Sequence, residues 1–200
     1  MPPTVSVLVP VYNGEAFIEG TIGEILAQPF DDIEVIVTDN ASADDTPRLL
    51  ESIAARDERV LVVRNPKNLG LNRNFRAGLE LSNGTYVKWQ AADDYLNPEF
   101  IPEAISIFES SPDVSLVIGE MPPVAEDRTP LPWDEEQRGF ISGHGEIVPR
   151  LPIPEAVESD DPVVRFRSVV EDVTRNLIAE FVYGVFRGST VRSANTLDVY

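Results

Sequence analysis

The sequence contains no cysteine and one histidine, His144, among its 200 residues. Disulfide scaffolds, thiolate metal sites and sites built from several histidines are therefore excluded. Basic residues are also scarce, because 16 lysines and arginines stand against 34 acidic residues, giving a net charge of −18. This charge argues against a broad surface for nucleic acid or anionic membrane, but it leaves room for a small phosphate pocket.

Long apolar runs are missing as well, so no segment predicts a transmembrane helix. The short run Val5–Val11 lacks the basic residues that precede the apolar part of a signal peptide. We therefore expect this run to be a strand of the folded protein, and the protein to be cytoplasmic. Hydrophobic residues make up 42% of the sequence, which is enough for the core of one domain of ordinary size.

The first 120 residues alternate between the spacing of buried strands and that of amphipathic helices. Strands are predicted at 5–11, 33–38, 60–63, 85–90 and 114–118. Helices are predicted after Asn13, after Asp44, Asp45 or Thr46, over 71–81 and after Asn97, with Asn83-Gly84 closing the third. This alternation predicts an α/β fold with a mostly parallel sheet and helices on both faces.

The pattern changes after residue 120. Residues 121–162 hold eight of the 17 prolines and many acidic residues, with no periodic spacing, which predicts a long loop or insertion. Helical spacing returns over 163–179, and 181–186 has the composition of a strand. The chain stops at Tyr200 without a terminating signal, so we expect 163–200 to begin a region that is incomplete.

Polar clusters follow three of the predicted strands: 12–15 after the first, 39–42 after the second and Asp93-Asp94 after the fourth. Ligands of open parallel sheets bind outside the carboxyl ends of the strands. Taken singly, each cluster has a local explanation, since Asn13 suits a helix cap and the aspartates suit turns. Their coincidence at one edge is what predicts a binding site.

The residue types at this edge suit a nucleoside diphosphate. Adjacent carboxylates such as Asp93 and Asp94 repel each other unless a cation or proton compensates, and Mg²⁺ or Mn²⁺ with phosphate oxygens in its shell does this. Asp39 could accept hydrogen bonds from a base or ribose. The sequence has neither GxGxxG nor GxxxxGK[ST], so a dinucleotide site and a P-loop lose their main support.

Four stretches in order resemble the successive motifs of family 2 glycosyltransferases: VSVLVPVYNG at 5–14, VIVTDNASAD at 35–44, NLG at 68–70 and GTYVKWQAADD at 84–94. The resemblance covers about residues 4–118. Lys88-Trp89 before the acidic pair, with Asn74-Phe75 upstream, also resembles a bacterial subgroup of that family. The resemblance to family 2 implies a GT-A (Rossmann-like) fold and transfer of a sugar from a nucleotide-sugar donor with inversion.

The resemblance also implies roles for particular residues. Pro10, Tyr12, Asn13 and Glu15 would lie along the nucleotide, Asp39 would contact the base, Arg73 would assist with the phosphates, and Asp93 and Asp94 would hold Mn²⁺ or Mg²⁺ and the diphosphate. Residues 1–120 would be the donor-binding half, and 163–200 the start of the acceptor-side half. A UDP-sugar is the commonest donor. The acceptor would be a glycan, a lipid-linked sugar or a small molecule, and no nucleic acid is expected.

Two positions depart from the family pattern. Ala91 replaces the first aspartate of Asp-x-Asp-Asp, which removes one donor-binding carboxylate. Asn40 replaces a frequent second aspartate after the second strand, which we expect to cost little because asparagine still accepts a hydrogen bond.

The catalytic base is not identified by the sequence. Glu171 and Asp172 are acidic residues of the later region, but they are more simply explained as a solvated helix edge. Asp198 is a further weak candidate. His144 lies in a Gly-rich stretch with no evident partner. Trp133 could stack on a sugar acceptor or equally cover a small core.

Three functions remain open from the sequence. The first is a metal-assisted inverting glycosyltransferase. The second is a truncated or degenerate relative that binds nucleotide without transferring sugar, as Ala91 and the unidentified base suggest. The third is a nucleotidyltransferase, which is disfavoured because the residues after the first strand are not a glycine-rich phosphate loop.

Overall fold

The computed structural model describes residues 1–119, 125, 131–137, 139–149 and 183–193. The chain divides into two compact units, one of Met1–Ile118 with Val182–Tyr200 and one of Gly119–Phe181. No helix in these described ranges is long and apolar enough to cross a membrane.

The first unit is built on a six-stranded sheet. Its strands are β1 (Val5–Val11), β2 (Ile33–Asp39), β3 (Val60–Arg64), β4 (Tyr86–Trp89), β5 (Leu116–Val117) and β9 (Val185–Arg187), in the spatial order β3-β2-β1-β4-β9-β5. The first four strands are mutually parallel, whereas β9 runs antiparallel to both β4 and β5. The predicted α/β class with a mostly parallel sheet is confirmed.

Helices cover both faces of this sheet, as predicted. They are α1 (Ile18–Leu26), α2 (Thr46–Ala54), α3 (Leu71–Leu81), α4 (Phe100–Ser110) and α5 (Gly188–Ser193). Apolar side chains of α1, α2 and α4 pack with alternate residues of β1 in one buried cluster. Those of α3 and α5 pack with Leu8, Val87 and Trp89 in the other. Because both faces are covered, β1 and β2 carry nearly continuous apolar runs.

The predicted helix caps differ from the observed ones. Asn13 does not cap α1, because the helix begins at Ile18 and Phe17 is the residue before it; Asn13 itself is left-handed, with φ of 54°. The residue before α2 is Asp45, and its side chain makes no capping hydrogen bond, although Pro47 lies in the first turn as expected. Asn83-Gly84 does not close α3 in the way a helix-ending glycine does, since the chain turns to extended backbone at Ser82.

The region beyond β5 also departs from expectation. The strand predicted at 181–186 is observed as Val185–Arg187 and is followed at once by α5. The helix predicted over 163–179 lies outside the described residues, as do Glu171, Asp172 and Asp198.

The described part of the second unit contains short strands within the stretch predicted to be a long loop or insertion. Strands β6 (Trp133–Asp134), β7 (Gly139–Ile141) and β8 (Ile147–Pro149) form an antiparallel sheet. Strands of two or three residues are too short to show alternation, so the sequence did not indicate them. Trp133 packs edge-on against Phe140 with ring centres 5.0 Å apart. His144 is exposed in the turn between β7 and β8.

Gly84 is required by a close approach between chain segments. A Cβ at this position would lie 2.6 Å from the backbone nitrogen of Ser6 and 2.8 Å from the carbonyl oxygen of Tyr86. The Gly84 nitrogen donates to Ser6 Oγ, and its carbonyl oxygen accepts from Arg192 Nη2 of α5. Glycine here lets the entry to β4 lie against β1 while α5 packs on the same point.

We expect Gly84→Ala to lower the free energy of unfolding by about 1–3 kcal/mol, since a methyl group must be forced between backbone atoms. Gly23→Ala in α1 is the matched control, because a Cβ there would meet nothing within 4 Å. That control should be neutral or stabilising by up to about 1 kcal/mol. Urea unfolding of the two variants checks the contrast, and equal destabilisation would contradict it.

Candidate functional site

The carboxyl ends of β1, β2 and β4 meet at one edge of the sheet. Val11 at the end of β1 pairs with Asp39 at the end of β2, and Leu8 pairs with Trp89 of β4. The backbone nitrogen of Asn40 donates to Val11, and that of Gln90 donates to Leu8. All three predicted polar clusters therefore lie at the same edge.

The segment after β1 is fastened to the segment after β2. The Asn13 backbone nitrogen donates to Ser42 Oγ at 2.8 Å, and Asn13 Oδ1 accepts from the nitrogen of Ala43 at 2.9 Å. Glu15 Oε2 accepts from the nitrogen of Asp45 at 2.8 Å. The side chains of Asn13 and Glu15 thus hold two loops together, which is a structural role at the rim of the site.

The other residues predicted to lie along the nucleotide are less constrained. Tyr12 is half exposed directly after β1, and Pro10 is partly buried within that strand. Arg73 is exposed in the first turns of α3. These side chains are accessible to a ligand.

Asp39 is buried rather than open at the rim. It is 1% exposed, and its Oδ1 accepts from the backbone nitrogen of Ser42 at 3.0 Å. Within the described ranges no group hydrogen-bonds its Oδ2, although Arg64 Nε forms an ion pair with that oxygen at 3.2 Å. This oxygen is buried, so a base could reach it only after the groups that cover it, half-exposed Arg64 among its neighbours, moved.

The acidic pair follows β4 in a loop held by polar contacts to its backbone. Thr21 Oγ1 of α1 donates to the Ala92 carbonyl oxygen at 2.6 Å, and Gln90 Nε2 donates to that of Asp94 at 3.1 Å. Partial desolvation raises the pKa of Asp94, and repulsion from Asp93 raises it further, against the attraction of Lys88. The two carboxylates are therefore close enough to oppose each other's charge.

Lys88 lies buried beneath this loop, between the sheet and α4. It is 2% exposed, and its Nζ donates to the carbonyl oxygens of Trp89 at 3.1 Å and Tyr183 at 2.7 Å. The ammonium group also lies 5.5 Å from the centre of the Phe100 ring. Burial lowers the pKa of Lys88 to about 7, although Asp94 partly offsets that effect.

Tyr183 brings the late segment of the chain to the acidic pair. Desolvation raises the pKa of its phenol to about 12, and repulsion by Asp94 and Asp93 contributes to the rise. The sequence did not indicate this neighbour, since nothing in it shows that β9 inserts beside β4. Lys88 carried a usable signal, because a lysine in a strand of apolar residues is seldom buried without a specific partner.

The acidic pair fits a divalent cation only in part. In the part of the chain that the structure describes, no group of three or more histidine, aspartate or glutamate side chains could hold a metal ion. However, Mg²⁺ and Mn²⁺ commonly use one or two protein carboxylates and complete their shell with water and substrate phosphates. Two adjacent carboxylates, of which Asp93 raises the pKa of Asp94 by repulsion, suit that arrangement, so Asp93 and Asp94 fit a cation that arrives with a diphosphate.

The first unit is thus an α/β sheet with an acidic pair, Asp93 and Asp94, just beyond β4. The model of glycosyl transferase family 2 matches residues 6–174, and the chain belongs to that family. An uncharacterized glycosyltransferase of Haemophilus influenzae is 33% identical over 113 residues, covering 56% of this chain and 35% of the relative. The chain therefore spans about a third of that relative's length.

Solved structures agree on the fold. The S. aureus protein TarS, residues 1–349 in complex with UDP, superposes with a TM-score of 0.66 over 96% of this chain and 48% of its own, at 19% identity. A mannosyltransferase from Pyrobaculum calidifontis, solved with GDP-Man and Mn²⁺, gives a TM-score of 0.54 over 60% of this chain and 36% of its own, at 26% identity. The GT-A fold implied by the sequence motifs is confirmed.

The depressed pKa of Lys88 predicts a distinct pH dependence of stability. Between pH 7 and 10.5 the unfolded chain holds a proton on this lysine that the folded chain has released, so folding becomes more favourable as pH rises. Relative to Lys88→Met, the wild-type free energy of unfolding should rise across this window, by up to about 1.4 kcal/mol per pH unit, and fall as pH returns to 7.

Urea unfolding at several pH values measures this difference. Lys67→Met, which removes an exposed lysine, is the matched control for the lost charge. A wild-type stability that runs parallel to that of Lys88→Met from pH 7 to 10.5 would show that Lys88 is not buried as described.

Proposed function

We propose that this chain binds a nucleoside-diphosphate sugar at the carboxyl edge of its sheet and transfers the sugar to an acceptor hydroxyl with inversion. The observation that carries the proposal is the acidic pair, Asp93 and Asp94, held beyond β4 next to the ends of β1 and β2. Family membership and the fold shared with nucleotide-sugar enzymes support it. The acceptor is a glycan, a lipid-linked sugar or a small molecule.

Different residues at this edge would contact different parts of the nucleotide. Tyr12 offers an exposed ring for the nucleoside, and Arg73 offers an exposed guanidinium for phosphate oxygens. Asp39 offers its unbonded Oδ2 to the base once Arg64 has moved aside. The uracil N3–H is a donor that suits this oxygen, and a UDP-sugar is the donor we propose.

Asp93 and Asp94 would hold Mn²⁺ or Mg²⁺ together with the diphosphate. When bound, the cation supplies charge neutralisation to the leaving nucleoside diphosphate. Thr21 and Gln90 hold the backbone of the loop that carries the carboxylates, and the charge of Lys88 attracts Asp94. Transfer breaks the bond between the anomeric carbon and the phosphate oxygen and forms one to the acceptor oxygen, whose proton must pass to a base.

A second candidate is nucleotide binding without transfer. The specific observation in its favour is Ala91, which leaves the acidic loop one carboxylate short of the family's commonest motif. Both candidates require the same donor site. They differ only in whether the sugar leaves the nucleotide, to an acceptor or to water.

Titration calorimetry with UDP, with and without Mn²⁺, tests the donor site directly. We expect binding that strengthens with Mn²⁺ and that falls by about tenfold or more in the double variant Asp93→Asn, Asp94→Asn, because the cation loses its charged ligands. GDP and dTDP are the comparison nucleotides.

The matched control is Glu109→Gln with Asp113→Asn, which removes the same two charges from exposed positions at the end of α4. This control should bind UDP as the wild type does. If a folded wild-type chain binds none of the three nucleotides, the proposal is wrong. If UDP does bind, a further assay measures whether the wild type consumes a UDP-sugar. Consumption distinguishes transfer or hydrolysis of the sugar from binding alone.

A further inference from the structure

Four asparagines form a continuous chain of side-chain hydrogen bonds beside the candidate donor site. They are Asn40 after β2, Asn65 after β3, Asn68 in the following turn and Asn74 in α3. Asn40, Asn65 and Asn74 are each less than one-tenth exposed. Buried amides are retained only where their donors and acceptors are satisfied, so this chain of bonds is a specific structure and not a surface feature.

Backbone groups fix the directions of the Asn40, Asn68 and Asn74 amides, and the direction of Asn65 follows from Asn40 and Asn74. Asn74 Nδ2 donates to the Thr38 carbonyl oxygen at 2.9 Å, so Asn74 Oδ1 must face Asn65, whose Nδ2 donates to it at 2.8 Å. The Leu69 backbone nitrogen donates to Asn40 Oδ1 at 2.8 Å. The nitrogen end of Asn40 therefore faces the opposite way, toward the turn.

Asn40 uses both ends of its amide. Its Oδ1 accepts from Leu69 and from Asn65 Nδ2, the latter at 3.2 Å. Its Nδ2 donates to Asn68 Oδ1 at 3.0 Å and to the Gly70 carbonyl oxygen at 3.4 Å. In contrast, Asn68 contributes only an oxygen to these bonds, which also accepts from the Gly70 nitrogen at 2.9 Å.

These bonds hold the turn that starts α3. Gly70 precedes the helix with a positive φ of 84°, and the carbonyl oxygen of Gly70 accepts the first helical bond from the Asn74 nitrogen. Arg73, which we propose as a phosphate contact, lies in that first part of the helix. The contacts that fix this turn therefore also fix the position of Arg73.

We propose that Asn40 is a positioning residue that locks the Asn68–Gly70 turn onto the end of β2, and that aspartate cannot replace it. The family pattern frequently has aspartate at this position, and from the sequence alone we expected asparagine in its place to cost little. The geometry points the other way, because a carboxylate would place acceptor against acceptor at Asn68 Oδ1 and Gly70 O. The effect on ligand binding rests on the proposed function, whereas the effect on the turn does not.

Two isosteric substitutions give opposite expectations. Asn40→Asp removes the donor to Asn68 and Gly70, so the Gly70 amide should exchange with deuterium about tenfold faster or more, and the unfolding transition should move to lower denaturant. Asn68→Asp keeps the accepting oxygen, so Gly70 exchange should stay near the wild-type rate. Asn83→Asp, exposed at the far end of α3, controls for one added negative charge.

Binding is measured separately with Asn40→Ala, which adds no charge near the phosphates. Calorimetry with UDP and Mn²⁺ should show affinity about tenfold or more below wild type, because the turn and Arg73 are no longer held. Unchanged Gly70 exchange in Asn40→Asp overturns the proposal, as does equal acceleration in Asn68→Asp. UDP affinity in a folded Asn40→Ala chain equal to that of wild type overturns the claim about Arg73.

The two proposals fail in different ways. If the wild type binds no nucleotide, the proposed function fails, yet the exchange of Gly70 still decides the role of Asn40. Should Asn40→Asp not fold while Asn68→Asp does, the asymmetry agrees with the proposal. Loss of folding in both variants contradicts it.

Discussion

Parallel pairing of β1 with β2 on one side and β4 on the other is the constraint on which the site depends. Parallel strands end at the same edge, and the pairing brings Val11 level with Asp39 and Leu8 level with Trp89. Backbone pairing alone therefore makes neighbours of polar residues that are far apart in sequence, whatever rotamers their side chains adopt. Both faces of the sheet are covered by helices, so that edge is where β1 becomes accessible.

Several polar side chains next to the site form their hydrogen bonds with backbone groups of neighbouring segments. Lys88 donates to two carbonyl oxygens, Thr21 donates to the carbonyl of Ala92, and Asn13 accepts from the nitrogen of Ala43. Such contacts fix loops in place, because an unmet donor or acceptor in a buried position costs more than a typical hydrogen bond contributes. Asp93, Arg73 and Tyr12 remain exposed at the surface of this rigid frame.

The fold was largely predictable from periodicity, whereas the side-chain roles were not. Helix α3 has its predicted bounds, and β1 and the apolar faces of α1 and α4 follow from spacing alone. Asn13 and Gly84 were misjudged because local rules assign them to helix ends, while contacts with distant segments decide their conformations. The position of Tyr183 beside the acidic pair, and the use of Asn40 as both donor and acceptor, depend on which strands and turns meet in space. Residue spacing along the sequence does not encode these contacts.

The insertion of β9 between β4 and β5 has a consequence for the order of folding. Lys88 and Tyr183, which are joined by a hydrogen bond, lie 95 residues apart in the chain. During synthesis β4 therefore presents an unpaired edge for as long as it takes to make those residues, and such edges are sites of aggregation. Closing so long a loop is also slow. Lys88, whose charge attracts Asp94, thus acquires its second carbonyl partner only when the late segment of the chain joins the sheet.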